Sequence, residues 1–161
     1  MSDRVARWEQ GRARVDELLQ ARHLERVPAD RAHAEHLIAQ ARKHVESAAL
    51  VRGSDPATAF SAAYDAARKS LTAVLAIQGL RPTSSGGHIA VRDAARAQLD
   101  PPLGRLVSRY DWMRRTRNDH EYPSLSTPDA SGEDVADGIV VAQELIEKAA
   151  QMIAVLPPYG R

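Results

Sequence analysis

Residues 114–124 read RRTRNDHEYPS, a stretch in which three arginines, a histidine and a tyrosine lie close together. Arginine holds phosphate through paired N–H donors and stays charged, and histidine gives or takes a proton near neutral pH. Together these two side chains suffice to cleave RNA without a metal. The 2′-hydroxyl attacks phosphorus, histidine assists proton transfer, and arginine stabilises charge on the phosphate oxygens. The stretch therefore indicates either such a site or the cation-rich end of a helix.

The candidate catalytic pair consists of Arg115, which would bind phosphate, and His120, which would transfer a proton. Five positions turn about 140° around an ideal helix, so the two would not converge within one regular helix. They could meet if the helix frays before Pro123, or across a two-fold axis where each chain brings one copy to a shared cleft. The residues expected to support them or to contact RNA are Arg114, Arg117, Asn118, Asp119 and Tyr122.

Positive charge concentrates on the same segment. The net charge is +1, but residues 1–123 carry 20 basic and 15 acidic residues, whereas residues 124–161 carry 2 and 6. Between 105 and 117, five arginines accompany one acidic residue, Asp111. Such a stripe could bind nucleic acid nonspecifically, with a steep dependence on salt. A solvated helix face explains the charges as well.

The rest of the chain has the spacing of helices. Pro28 and Gly53 end the first two, and the stretch SDPATAF predicts a helix start with Asp55 as N-cap and Pro56 in the first turn. Further helices are predicted over about 88–99 and 103–120, and a last one ends at Pro157.

No strand is predicted, so the expected fold is all-α, an up-down antiparallel bundle of about five to six helices in one domain over 1–161. Residues 1–52 are expected to form an N-terminal helical hairpin and residues 55–155 the core bundle.

Composition narrows the possible classes of protein. The absence of cysteine excludes disulfides and thiolate sites. No apolar run reaches the roughly 18 residues of a membrane span, and the N-terminus lacks a secretory signal, so a cytoplasmic protein without membrane contact is expected. His33, His36 and His44 are interpreted as surface side chains, so neither a metal nor another cofactor is predicted. His88 is expected at a helix start, and could lie near the cleft of a dimer.

Arg115 to Tyr122 follow the pattern arginine, four residues, histidine, one residue, tyrosine. This pattern resembles the motif of HEPN domains, helical bundles found in many bacterial toxins and RNA-processing proteins. The stretch AAYDAARKSLTAVLAIQGLRPTSSGGH, residues 62–88, also resembles the central helices of an actinobacterial branch of these domains. The likeness extends over about 37–150.

The resemblance implies a homodimer whose two motifs line one cleft, with Arg115 contacting the phosphate of RNA and His120 acting in catalysis. Tyr122 matches a tyrosine that, in toxins of this kind, a partner nucleotidyltransferase modifies with AMP. The bulky anion would block the cleft by charge and volume.

A second alignment of the motif leaves an alternative open. Active members carry a polar residue such as asparagine or aspartate directly after the arginine, whereas Thr116 follows Arg115. Starting from Arg117, RNDHEYP resembles the ending of the actinobacterial branch, whose members often lack the histidine. Two hypotheses therefore stand: a metal-independent endoribonuclease of toxin type, and a non-catalytic module that binds a nucleotidyltransferase or another protein.

Overall fold

A computed structural model describes residues 9–122 and 130–160 of the chain. The described residues form six helices and two short strands, and the all-α bundle predicted from the sequence is confirmed. None of these helices combines the length and the apolar character needed to cross a membrane. The elements, in chain order, are α1 (Arg12–Gln20), β1 (Leu24–Arg26), α2 (Arg31–Val51), α3 (Pro56–Ile77), β2 (Leu80–Pro82), α4 (Gly87–Leu99), α5 (Gly104–Glu121) and α6 (Gly132–Val155).

Side-chain caps fix where three of the helices begin. Asp55 accepts hydrogen bonds from the Thr58 backbone N–H and hydroxyl, at 3.0 and 2.6 Å, and Pro56 occupies the first turn of α3 as predicted. Asp30 and Ser131 accept in the same way from the third residue of α2 and of α6. Each cap satisfies a backbone donor that has no partner within its helix.

Helix α3 lies at the centre of the bundle and packs against α2, α4, α5 and α6. Phe60, Tyr64, Ala67, Leu71 and Leu75 recur at helical spacing in its sequence and so predict one apolar face. This stripe is buried, with Phe60 and Tyr64 among the largest enclosed side chains. Fully buried alanines on the same helix let the neighbouring backbones approach closely. The buried apolar residues of all six helices join into one continuous core.

The two strands were not expected, and they correct the prediction that the chain contains none. Leu24 pairs with Pro82 and Arg26 with Leu80, antiparallel. The chain leaves α1 early because Arg22 adopts a left-handed conformation, at φ 57°, well before Pro28. Gly79, at φ 75°, makes the other turn, where an added Cβ would come within 2.6 Å of the Val27 carbonyl oxygen. Both strands have only three residues, too few for a period-two pattern to show in the sequence.

Residues 1–8 of the predicted N-terminal hairpin lie outside the described residues, and within 9–52 the helices α1 and α2 do not pack together as a hairpin. Instead, α1 packs against α4 and β1. An ion pair at 2.6 Å joins Arg14 of α1 to Asp93 of α4, and Gln10 donates to the carbonyl of Gln98. Strand β1 separates α1 from α2, so α2 is free to lie along α3 and α6.

Candidate functional site

Residues 114–121 of the predicted motif lie on α5, which stays helical through Glu121. Tyr122 follows directly as the C-cap residue, and its N–H still bonds to the Asn118 carbonyl. Arg115 and His120 therefore occupy one regular helix, which turns about 140° between them. Fraying before Tyr122 does not bring them together. Pro123 itself lies outside the described residues.

Arg115 lies on an exposed face of α5. Its side chain is 65% exposed, and its Nε lies 3.5 Å from Asp111, one turn earlier on the helix. Asn118, Asp119 and Tyr122 are also exposed and follow Arg115 at helical spacing, so these four side chains share one face. This set, the α5 polar face, gathers four of the seven residues that the sequence singles out.

Arg114 has a different environment from its neighbour. Its side chain is only 14% exposed, and its Nε donates to Asp111 at 2.9 Å. Arg92 of α4 approaches the same carboxylate at 3.5 Å. Burial alone would raise the pKa of Asp111, but the hydrogen bond from Arg114 and the surrounding guanidinium charges outweigh it and lower that pKa. The pair of Arg92 and Asp111 thus joins α4 to α5, and Arg114 is held on the same carboxylate while Arg115 remains accessible.

His120 points to another side of the helix, toward α3. Its ring lies edge-on to Phe60, with the centroids 5.3 Å apart, and Trp112 contacts the same phenyl ring edge-on at 5.7 Å. The Nδ1 atom of His120 is buried and has no hydrogen-bond partner among the residues that the structure describes. The ring is therefore positioned by packing, and Nε2 is the nitrogen left to exchange a proton with a ligand.

Within one protomer, the candidate pair is accordingly not brought together. Arg115 contacts Asp111 on the exposed side of α5, whereas His120 contacts Phe60 on the side that faces α3. A site that uses both groups needs a second copy of the chain, as the two-fold alternative of the sequence analysis supposes.

Arg117 contributes to a different arrangement, which the sequence analysis did not find. It helps to line an open cavity of about 420 Å³ together with side chains from α2, α3 and α4. We call this cavity the polar groove and define it by His44, Tyr64, Asp65, Arg68, His88 and Arg117. The Arg117 guanidinium lies over the Tyr64 ring, 5.7 Å from its centroid, and pairs with Glu121 at 2.6 Å.

A short hydrogen bond forms the floor of the groove. The Tyr64 hydroxyl lies 2.5 Å from Nδ1 of His88 and 3.4 Å from the hydroxyl of Tyr110. The Tyr64 ring also stacks on both neighbouring rings, with centroids 5.5 and 5.8 Å away. Because Tyr110 is fully buried, this aromatic column connects the core to the groove.

The surroundings keep the Tyr64–His88 pair neutral. Burial, followed by the charges of Arg68 and Arg117, lowers the pKa of His88. Burial raises the pKa of Tyr64, although the hydrogen bond with Tyr110 and the nearby arginines oppose it. In a neutral imidazole one ring nitrogen carries the proton, and the tautomer with that proton on Nε2 lets the phenol donate to Nδ1.

A carboxylate connects the cations at the wall of the groove. Asp65 pairs with Arg68 at 2.6 Å, with His44 at 3.1 Å and with Lys69 at 3.2 Å. Burial by itself would raise the pKa of Asp65, but the hydrogen bond and charge of Arg68, together with Lys69, lower it. The carboxylate fixes the cations in position without cancelling all of their charge.

The sequence predicts the positions of two residues of this groove but not their pairing. His88 was expected at a helix start and lies in the first turn of α4, which confirms that expectation. The position of Tyr64 on the apolar stripe of α3 predicts a core residue, and its ring is buried. Its hydroxyl partner is 24 positions away, a pairing that no local spacing reveals.

No group of three potential ligands is arranged to hold a metal ion within 9–122 and 130–160.

One of three comparisons with known proteins supports the family resemblance that the motif indicates. Searches of curated proteins and of solved structures found no match. The family model described as HEPN domain, however, matches residues 34–153, which extend from α2 into α6 and include the α5 polar face and the polar groove. Since this match covers well over half of the sequence, the chain belongs to the HEPN family.

Proposed function

We propose that this HEPN protein is a metal-independent endoribonuclease of toxin type that works as a homodimer. The proposal depends on how α5 presents Arg115 and His120. Arg115 is exposed on the polar face, and His120 is held by packing with only Nε2 left for proton transfer. Two copies related by a two-fold axis would supply arginine from one chain and histidine from the other.

In this proposal the RNA 2′-oxygen forms a bond to the adjacent phosphorus while the bond from phosphorus to the 5′-oxygen breaks. His120 Nε2 takes the proton of the 2′-hydroxyl or returns one to the departing 5′-oxygen. Arg115 donates to the non-bridging oxygens as charge builds on them. The supporting roles fall to Arg114 and Arg117, which are anchored by carboxylates, and to exposed Asn118 and Asp119.

Tyr122 is the proposed point of regulation. Its side chain is 79% exposed and shares the α5 polar face with Arg115, so a partner enzyme could reach its hydroxyl. Transfer of AMP to that hydroxyl by a nucleotidyltransferase antitoxin would place an anion and a base beside the arginine. Both the charge and the volume would hinder RNA.

A non-catalytic module that binds a nucleotidyltransferase or another protein is the second candidate. The divergence of Arg115 and His120 within one protomer favours it, because a single chain then lacks a complete site. In this reading the α5 polar face is a surface for a protein partner.

Cleavage of RNA in the presence of a chelator tests the proposal. Wild-type protein is expected to cleave, and His120→Ala to lose about 100-fold or more of the rate because general acid–base catalysis contributes that much. His36→Ala, which removes an exposed histidine on α2, is the matched control and keeps full activity. Equal cleavage by His120→Ala and wild type, with folding unchanged, removes the nuclease and leaves the module.

A further inference from the structure

The polar groove lies apart from the α5 polar face. Arg117, the residue of α5 that lines it, points toward Tyr64, whereas Arg115 points to solvent beside Asp111. The other lining residues come from three further helices, with His44 on α2, Asp65 and Arg68 on α3, and His88 on α4. All of the lining that the structure describes therefore comes from one protomer.

The charges around the groove favour an anion. Arg68, Lys69 and Arg117 contribute three positive charges, against the two carboxylates of Asp65 and Glu121. Asp65 is shared by three partners, so it cannot neutralise each of them. Each guanidinium has five N–H donors in a planar fork, and the ion pairs described occupy only some of them.

The Tyr64–His88 hydrogen bond adds a directed donor to these charges. With the phenol donating to Nδ1, the imidazole proton resides on Nε2, which becomes an N–H donor for a ligand. Stacking against Tyr64 holds the ring, and the same Tyr64 ring lies beneath the Arg117 guanidinium. A single buried tyrosine thus orients both a histidine and an arginine before any ligand arrives, which reduces the entropy lost on binding.

We propose that the polar groove is a second binding site, specific for a phosphate group, in which Arg68 and Arg117 contact the anion and His88 donates from Nε2. The site goes beyond the proposed cleavage reaction, since it needs neither Arg115 nor His120, although it shares Arg117 with the residues that support cleavage. The phosphate belongs either to the backbone of single-stranded RNA or to a free ribonucleotide.

Titration followed by NMR tests this site. The imidazole signals of His88 are recorded at low salt while inorganic phosphate, a ribonucleoside 5′-monophosphate or a short single-stranded RNA is added to the full chain. We expect a saturable shift of the His88 signals with phosphate. Arg68→Gln and Arg117→Gln should each weaken the affinity by about tenfold, the value of one charge-assisted contact. Arg105→Gln, an exposed arginine in the first turn of α5, should bind as wild type does.

The three probes separate the two sources of the phosphate. RNA that binds tenfold more tightly than the monophosphate identifies the backbone as the ligand, and equal affinities identify a free nucleotide. If Arg68→Gln fails to fold, Arg117→Lys provides the second test, since it keeps the charge but loses the paired donors, and its affinity should fall. Absence of a saturable His88 shift with every probe, or unchanged affinity in the arginine variants, overturns the proposal.

The proposed nuclease and the phosphate site can fail separately. His120→Ala is expected to lose cleavage and to keep wild-type affinity for inorganic phosphate. If the groove binds phosphate but the protein never cleaves RNA, only the nuclease proposal is excluded. If the protein cleaves RNA normally but its groove binds no phosphate, only the phosphate-site proposal is excluded.

Discussion

Two polar clusters lie between α3 and α4, and they differ in what they leave unsatisfied. At one end, Gln78 and Gln98 are almost completely buried and exchange reciprocal hydrogen bonds of 3.0 and 2.7 Å. At the other end, Tyr64 and His88 share one hydrogen bond and open onto the polar groove. The two glutamines of the first cluster, which we call the closed cluster, use their hydrogen-bonding groups on each other and stabilise the fold. The second cluster has N–H donors left over for a ligand. Remaining donor capacity, more than polarity, distinguishes a binding site from a structural contact.

The closed cluster also holds both ends of the described chain. Gln10 donates to the Gln98 carbonyl, and the Tyr159 N–H donates to the Gln78 carbonyl. The Tyr159 hydroxyl in turn donates to Asp16 at 2.8 Å and lies 3.1 Å from the Arg12 carbonyl oxygen. Substitutions around Gln78 and Gln98 should therefore alter stability and leave phosphate binding unaffected. Substitutions in the polar groove should mainly alter phosphate binding.

The largest effect is expected for Gln98→Leu. This change leaves the buried Oε1 of Gln78 without its donor, although Nε2 still donates to the Val74 carbonyl, so the free energy of unfolding should fall by about 2–3 kcal/mol. Gln78→Leu combined with Gln98→Leu should recover much of the loss, because both partners become apolar. Chemical denaturation measures both, with the exposed Gln151→Leu as control. A single variant as stable as that control would show that the pair does not stabilise the fold.

Tyr64→Phe should have a moderate effect on both properties. The ring keeps its packing, but the donor to His88 is lost, so we expect the free energy of unfolding to fall by about 1 kcal/mol and phosphate affinity to weaken several-fold. Tyr110→Phe is the matched control, because within 9–122 and 130–160 its hydroxyl makes a single contact, at 3.4 Å with Tyr64. Denaturation and phosphate titration of both variants check this. Equal phosphate affinity in the two variants would mean that Tyr64 does not orient the histidine.

Tyr159 should make the free energy of unfolding depend on pH in the alkaline range. Burial, followed by the hydrogen bond and the charge of Asp16, raises the pKa of Tyr159 from its ordinary value of 10.0 to about 12. A raised pKa in the folded state stabilises the protein fully below the unfolded value, and that contribution is lost as pH rises from 10 toward 12. Tyr159→Phe should lose about 1 kcal/mol at neutral pH, with the deficit shrinking over that range. Denaturation of both proteins between pH 8 and 12 measures it. A deficit that stays constant contradicts the assignment.

Asp65 should give the smallest change, at acid pH. Its lowered pKa means that its contribution to stability is present above the ordinary value of 3.8 and is lost as pH falls through the lower folded value. Because the ion pairs are partly exposed, we expect Asp65→Asn to cost about 1 kcal/mol or less at pH 7 and nothing near pH 2. Unfolding curves from pH 7 down to 2 measure the difference. A difference that grows on acidification would contradict the sign.

The sequence predicted most of the helices because their signals are local. The Asp55 cap and Pro56 mark the start of α3, and the helices predicted over 88–99 and 103–120 differ from α4 and α5 by about one residue at each end. The strands and the packing of α1 on α4 were missed, since both depend on partners more than fifty positions away. The candidate site divides in the same way. The residues of the α5 polar face share a spacing that the sequence displays, whereas the groove needs four helices to be assembled first.

The central claim is that cleavage needs Arg115 of one protomer and His120 of another. Arg115→Ala and His120→Ala, each carrying a different affinity tag, are unfolded together and refolded, and mixed dimers are isolated through both tags. Each mixed dimer holds one site with both groups intact, so roughly half of the wild-type RNA cleavage per dimer should return, although each variant alone is inactive. Mixed dimers as inactive as the parent variants, or a chain that stays monomeric, would contradict the shared site.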